Sequence, residues 1–475
     1  MYSMEANNMY LDLDLIDNIE EKTLLRSIKL VLDPPIETVD LSEPIFSKDI
    51  VLPPQPRLEY IDPMKLHNKL NTSKAVELFQ AVDQIISLMP YHEYTKLKEA
   101  GDREKLEIFY RWKEKILAYT RSAGKIRYED LKAEDSRKKS ILLIVPSERQ
   151  LEVVKGDWTR WAWKKVAYDG SLTPSANGWI RDVSSIAHAL KQEGVHPVIV
   201  IDKHGTYDSG REYVKDLDTV EIEIPENMAK IGYPRDQSVT WTENPIICNM
   251  ALDFRRGEEL VLNEIYYKLN KPPIARARWG LVNGKLLRAV MEGGNFFVIK
   301  TENDVVVMTG IGVRGSNIAT IEFIASILPE DVRIIAIPHA GYIRDWKTGA
   351  VHLDVIFAYL GMVGDTRYAL VDPSRMGFYS ALEYDRKTKE FKVIEFLLLM
   401  KQLGIKVSEP PREGSSPITM VNALNLGNGK IVSDKYNQSI NKYIEETFGI
   451  DVIEVSIPQI EAGGGGVRCA TRELW

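Results

Sequence analysis

The sequence predicts an α/β protein, on three observations. From about residue 140 to the C terminus, short apolar stretches of strand length alternate with longer ones patterned for helices. Ahead of them, residues 73–123 carry apolar side chains at helical spacing. No apolar run approaches the ~20 residues that a membrane-crossing helix needs. The longest, such as Phe396-Leu397-Leu398-Leu399-Met400, are sized for a core.

In chain order, residues 1–57 read as irregular and clasping, because Pro34-Pro35, Pro44, Pro53-Pro54 and Pro56 punctuate scattered acids. Thr72-Ser73 then reads as the cap of a helix carrying Val76, Leu78, Phe79, Val82, Ile85 and Ile86. A second helix, over 105–123, carries Leu106, Phe109, Trp112, Ile116 and Leu117, with Gly124 as its stop. These segments are expected to form an N-terminal extension, residues 1–137, and residues 138–475 an α/β domain. In that domain a strand at 140–146 is followed by a helix at 184–192 and a strand at 196–201. The same texture returns at 305–308, 317–328 and 332–337, then at 391–393, 396–404 and 405–407, and last at 431–432, 438–448 and 452–455.

Composition narrows the function. Hydrophobic content of 44% and charged content of 27% are those of an ordinary globular chain. A formal net charge of −7 argues against nucleic acid or an anionic membrane as partner and suits a cationic ligand. The N terminus lacks a basic segment followed by an apolar one, and two cysteines make no disulfide framework, so a reducing cytoplasm is the expectation. Cys248 lies in an apolar strand-like segment and reads as an inert small hydrophobe. Cys469 follows the run Gly463-Gly464-Gly465-Gly466-Val467-Arg468, where core packing explains it poorly. Glycines let a backbone approach a ligand closely, which suits a nucleophile on a loop.

Three other polar segments complete a candidate site. His352 and Asp354 are two apart in an apolar context, and on a strand both point into one cavity. Histidine moves protons near neutral pH, and an aspartate holds a cation. The competing readings are a metal pair and a surface hydrogen bond, but no further His or Cys cluster supplies metal ligands. Glu292 precedes Gly293-Gly294 after a strand expected at 286–291, and Asp236 follows Arg235 in Tyr233-Pro234-Arg235-Asp236. An exposed turn is the plain alternative for each.

The order of these segments resembles the guanidino-group-modifying enzyme superfamily: arginine deiminase, dimethylargininase, agmatine deiminase and the amidinotransferases. Tyr233-Pro234-Arg235-Asp236 is similar to its aromatic-x-Arg-Asp segment, and Glu292-Gly293-Gly294-Asn295 to its Glu-Gly-Gly-Asp. His352-Leu353-Asp354 resembles its His-x-Asp, and the glycine run with Arg468-Cys469 its nucleophile loop. The resemblance covers about 138–475. It implies a five-bladed α/β propeller with pseudo-fivefold symmetry and the site in its central channel. It also implies that Cys469 attacks the guanidino carbon while His352 protonates the departing amine, leaving a covalent S-alkylthiouronium that water then hydrolyses.

The physical chemistry agrees. A guanidinium is a permanent planar cation, costly to desolvate unless carboxylates receive it. Glu292, Asp236 and Asp354 supply such acceptors, and the same acids raise the pKa of a neighbouring thiol. The expectation is a Cys469 that stays protonated until a cationic substrate arrives.

By the same resemblance, Arg255 and Arg314 stand where arginine deiminases hold the substrate α-carboxylate, which favours free L-arginine, converted to citrulline and ammonia. Three departures accompany this. Asn295 replaces an aspartate, Lys230 stands where deiminases tend to have an asparagine, and no helical insertion fits between His196 and Asp236. An amidinotransferase, a dihydrolase and a dimethylargininase remain as alternatives. A non-enzymatic arginine sensor is disfavoured by the joint retention of the cysteine, the histidine and both aspartates. No cofactor or metal is expected, the partner is a small cationic guanidino compound, and homo-oligomer formation stays open.

Overall fold

The computed structural model describes residues 14–39, 58–152, 174–228, 230–312, 315–338, 352–373, 376, 380–411 and 421–475. The fold is mixed α/β, with six open sheets among the described residues and none that closes on itself.

Five of these sheets repeat one plan: a central strand pairs antiparallel with one neighbour and parallel with another. The central strands are Ser140–Val145, Ile246–Ile247, Val305–Ile311, Thr366–Val371 and Lys430–Asp434. Each runs into a helix before its parallel partner, because a parallel pairing requires a crossover. Those helices are Ala176–Gln192, Glu258–Lys268, Ile318–Ile327, Phe396–Gln402 and Gln438–Phe448. The last sheet element of the chain, Arg472–Leu474, pairs antiparallel with the first central strand, so the C terminus returns to the start of the domain.

The N-terminal segment packs onto this assembly rather than standing apart. Leu24, Ile28, Phe79, Ile86 and Phe109 share one core with Val261, Ile265 and Trp279. Polar ties reinforce it: Asn263 Nδ2 donates to the carbonyls of Ser87 (2.9 Å) and Met89 (3.0 Å), and Arg278 meets Asp83 at 2.5 Å. The strand Leu58–Ile61 joins Glu37–Val39 on one side and Lys285–Arg288 on the other, making the sixth sheet.

Two sequence expectations are corrected. Residues 1–57 contain a regular helix, Glu21–Leu32, whose Leu24, Ile28 and Val31 are buried at i, i+4 and i+7. It ends just before Pro34-Pro35, and the prolines beyond it obscured the period. The helix from Ala75 to Ser87 begins after Lys74, with no side-chain cap. Thr72 Oγ1 accepts instead from the Lys74 N–H, at 3.3 Å. Among the described residues no helix is long and apolar enough to cross a membrane.

Candidate active site

Each of the five repeated units delivers polar residues at the same point, just before its antiparallel strand. Asp236 precedes Ser238–Val239, Glu292 precedes Phe296–Lys300, and His352 and Asp354 precede Phe357–Val363. Asn422 precedes Leu424–Gly427, and Cys469 precedes Arg472–Leu474. Residues far apart in sequence therefore meet.

Cys469 is 6% exposed, with its Sγ 4.0 Å from Asp354 Oδ2. Its N–H donates to Asn422 Oδ1 at 3.1 Å, and Asn422 Nδ2 donates to the Asp354 carbonyl at 3.1 Å, so one asparagine ties the thiol loop to the aspartate turn. Gly465 is required here by proximity. A Cβ there would lie 2.4 Å from the Tyr233 ring and 3.0 Å from Cys469 Cβ.

His352 and Asp354 do not lie on a strand, contrary to the sequence reading. His352 is extended (φ −133°, ψ 160°) and Leu353–Val355 form a single 3-10 turn before the strand at Phe357. Asn295 Oδ1 accepts from the Leu353 N–H at 3.1 Å and holds that turn. His352 reaches Glu292 through Nε2 and lies 3.4 Å from Asp236 Oδ1 through Nδ1. Asp354 instead reaches Cys469 and accepts from Arg468 Nη1 at 3.0 Å. Gly294 makes the close approach of the imidazole feasible, since a Cβ there would stand 2.7 Å from His352 Nδ1. Glu292 is fully buried and accepts from the Ala251 N–H at 2.9 Å.

The expected strand at 286–291 spans Lys285–Arg288 only, and Met291 then makes one isolated bridge to Asn249. Arg255 enters the site through Asp236. Its Nη1 donates to Asp236 Oδ2 at 2.6 Å and its Nε to Glu258 Oε2 at 3.0 Å. Arg314 lies outside the described residues. Lys230 Nζ donates to the Gly463 carbonyl at 2.6 Å, beside the glycine run. Cys248 is fully buried, and burial pushes its thiol pKa well up, in keeping with an inert role.

Electrostatics divide the site. Burial raises the Cys469 pKa well above the usual thiol value, and the charges of Asp354 and then Asp236 add to it. Burial also raises Asp354, against the pull of Arg468 and His352. At Asp236 burial is outweighed by His352 and Arg255, and the pKa falls below the usual carboxylate value. Asp354 Oδ1 is buried without a hydrogen-bond partner among the described residues, an acceptor available beside the thiol. No group of three or more His, Cys, Asp or Glu suited to a metal occurs among the described residues.

Sequence reasoning passed over Asn422, Arg468 and Glu258. Arg468 was in view beside the cysteine, and the role of its guanidinium, shared by Asp354, Glu134 (3.0 Å) and the Phe296 carbonyl (2.9 Å), is set by the fold.

The chain is 22% identical over 287 residues to the uncharacterized protein YkgA of Bacillus subtilis (strain 168), covering 60% of this chain and 83% of that one. Among solved structures it is similar to DDAH from Pseudomonas aeruginosa complexed with citrulline, at 15% identity and TM-score 0.44, covering 71% of this chain and 100% of that one. It is also similar to SxtG, an amidinotransferase from Microseira wollei in the saxitoxin biosynthetic pathway, at 14% identity and TM-score 0.44, covering 72% and 96%. The arginine deiminase family model matches residues 188–376 and 415–475, just over half of the chain, and that match contains Asp236, Glu292, His352, Asp354, Asn422 and Cys469. The chain therefore belongs to the arginine deiminase family, among the enzymes that modify guanidino groups.

Proposed function

We propose that this protein hydrolyses the guanidino group of free L-arginine to citrulline and ammonia, with Cys469 as nucleophile. One observation carries the reading: a buried thiol lies 4.0 Å from a carboxylate whose other oxygen has no hydrogen-bond partner among the described residues, within one constellation of acids. Such a place is costly for a neutral or anionic ligand and favourable for a planar cation.

In this reading the guanidinium is received by Asp354, Asp236 and Glu292, which turns its central carbon toward Sγ. Its charge offsets those carboxylates, so the thiol ionises, passing its proton to His352. The thiolate adds to the carbon, and His352 returns the proton to the departing nitrogen, which leaves as ammonia. The carbon is then held as an S-alkylthiouronium. His352 takes a proton from water, the hydroxide adds to the carbon, and the C–S bond breaks to release citrulline and regenerate Cys469. Arg255 is neutralised by Asp236 and Glu258, so its part is to set Asp236, and the substrate carboxylate falls to Arg314. The five repeated units stand as blades of a pseudo-fivefold propeller, whose pre-strand residues converge on the axis.

The test is product analysis with arginine, alone and with glycine or lysine as acceptor. Equal citrulline and ammonia, unaffected by acceptor, is the expected result. Ornithine with a new guanidino product would mean amidino transfer, and ornithine with extra ammonia a dihydrolase. Cys469→Ala should lower kcat by at least about a thousandfold. Mass spectrometry of the quenched wild type should find the adduct on Cys469. Wild-type citrulline formation by the alanine variant would refute the reading.

A further inference from the structure

Two acids of the site, Glu292 and Asp236, are held by one stretch of chain, residues 249–256. Its Ala251 N–H donates to Glu292 Oε1 at 2.9 Å, and its Arg255 Nη1 donates to Asp236 Oδ2 at 2.6 Å. Asn249, at its start, exchanges backbone hydrogen bonds of 2.9 and 3.0 Å with Met291, the residue before Glu292. Acids from different parts of the sequence thus take their places from a single segment.

Glu59, which comes from the N-terminal segment, grips that stretch at both ends. It lies in the strand Leu58–Ile61, which runs beside Lys285–Arg288, and it is 8% exposed. Its Oε1 accepts from Arg256 Nη2 at 3.0 Å, and its Oε2 faces Arg288 Nε at 3.3 Å. Arg288 Nη2 in turn donates to the Met250 carbonyl at 2.7 Å and to Asn249 Oδ1 at 3.2 Å. One carboxylate therefore reaches Arg256 directly and Met250 through Arg288. Among the described residues Arg288 meets no other carboxylate, while Arg256 has a second in the exposed Asp253 of its own turn, at 2.7 Å. The two arginines repel each other. Burial and then the Arg256 charge push the Arg288 pKa down to about 9, and Glu59 is the largest charge opposing them.

We infer that Glu59 is a positioning residue for the active site: through it the N-terminal segment fixes residues 249–256, and through them the placement of Glu292 and Asp236. The inference rests on the reading that these two acids receive the guanidinium. It gives the N-terminal segment a part in substrate binding, beyond the apolar core it shares with the α/β units. Without the Glu59 charge, Arg256 and Arg288 lose their shared counter-charge and separate. Met250 and Arg255 follow them, and the two acids no longer present one face to a planar cation.

The experiment compares the full wild-type chain with Glu59→Gln, which keeps the shape and removes the charge. Arg256→Gln, at a partly exposed position, covers the case of a Glu59 variant that fails to fold. Hydrogen exchange read by mass spectrometry reports the tether whatever the substrate: peptides over 249–256 should exchange at least about tenfold faster in both variants, with those over 140–145 unchanged. Kinetics report the consequence. KM for arginine should rise at least about fivefold, whereas a smaller folded fraction lowers the maximal rate and leaves KM alone. Asp83→Asn breaks a different tie of the N-terminal segment, to Arg278, and should lower the melting temperature with KM within about twofold of wild type. Unchanged exchange at 249–256 or unchanged KM in either variant that folds overturns the inference, as does an equal rise of KM in Asp83→Asn. If the wild type turns over another guanidino compound and not arginine, the proposed substrate is wrong, and KM is compared with that compound instead. No turnover of any guanidino compound overturns the positioning role.

Discussion

The two sides of the active site use one residue type in opposite ways. On one side Asp236 is 4% exposed and contacts Arg255 at 2.6 Å, and on the other Asp354 is fully buried and contacts Arg468 at 3.0 Å. Burial penalises both carboxylates. At Asp236 the charges of His352 and Arg255 outweigh it, and the pKa is lowered; at Asp354 burial outweighs Arg468 and His352, and the pKa is raised. Arg255 and Arg468 each divide their donors between two acids and a carbonyl, so sharing of the guanidinium does not account for the difference. An arginine partner thus does not by itself fix the state of a buried acid. The Asp236 side holds standing negative charge for a cation. The Asp354 side, next to the thiol, is where adding charge is hardest and where an incoming guanidinium relieves the most.

The most severe test of this contrast removes each charge while keeping the shape. Asp236→Asn and Asp354→Asn should each lower kcat/KM for arginine by about 10²–10³-fold, the scale of one lost transition-state contact. Their free thiols should diverge. Asp354 is the larger charge contribution to the raised Cys469 pKa, after burial, with Asp236 next. Iodoacetamide should therefore alkylate Cys469 fastest in Asp354→Asn, more slowly in Asp236→Asn and slowest in the wild type. An inert guanidinium should accelerate the wild-type reaction if it leaves Sγ accessible. The reverse order of the two variants would remove the asymmetry from the thiol.

A smaller effect separates the two acids through stability. Asp236, with its folded pKa lowered, contributes stability that is present above the unfolded value, about 3.9, and is lost as pH falls through the folded one. Asp354, with its folded pKa raised, contributes stability that is full below about 3.9 and is lost as pH rises through the folded value. As pH rises from about 4.5 towards the raised folded pKa of Asp354, the melting temperature of Asp354→Asn should therefore climb relative to wild type, while the offset of Asp236→Asn stays flat. Parallel offsets for the two variants would show that both acids sit in the same state.

How much of this was legible before the structure follows from where each signal lives. Asp236, Glu292, His352, Asp354 and Cys469 were each weak signals alone, and they stood out because their order along the chain resembles the motifs of the guanidino-group-modifying superfamily, while the strands near them were apolar and short. The repeated strand–helix–strand texture gave the α/β class. Asn422 was invisible: an asparagine before a short strand has no local mark, and only the fold brings it to the Cys469 N–H. The 352–354 segment alternates like a strand, yet it turns because Asn295, more than fifty residues earlier, takes its N–H. Arg255 was read as a ligand for the substrate carboxylate, and its two acidic neighbours became visible only in space.

Asn295 gives the smallest expected effect and the sharpest check on that turn. Its side-chain oxygen accepts from the Leu353 N–H, between the histidine that faces Asp236 and the aspartate that faces the thiol. An aspartate at 295 keeps an acceptor there, so Asn295→Asp should preserve the turn and alter kcat/KM by no more than about fivefold, the worth of roughly 1 kcal/mol. Asn295→Leu fills the space but leaves the buried N–H of Leu353 without its partner, a loss of about 1–3 kcal/mol. That variant should lose about tenfold or more, and should do so through both aspartates, because His352 and Asp354 move together when the turn relaxes. A leucine variant as active as the aspartate one would mean that the turn is held by the strand after it, and that the division between the two sides does not depend on residue 295.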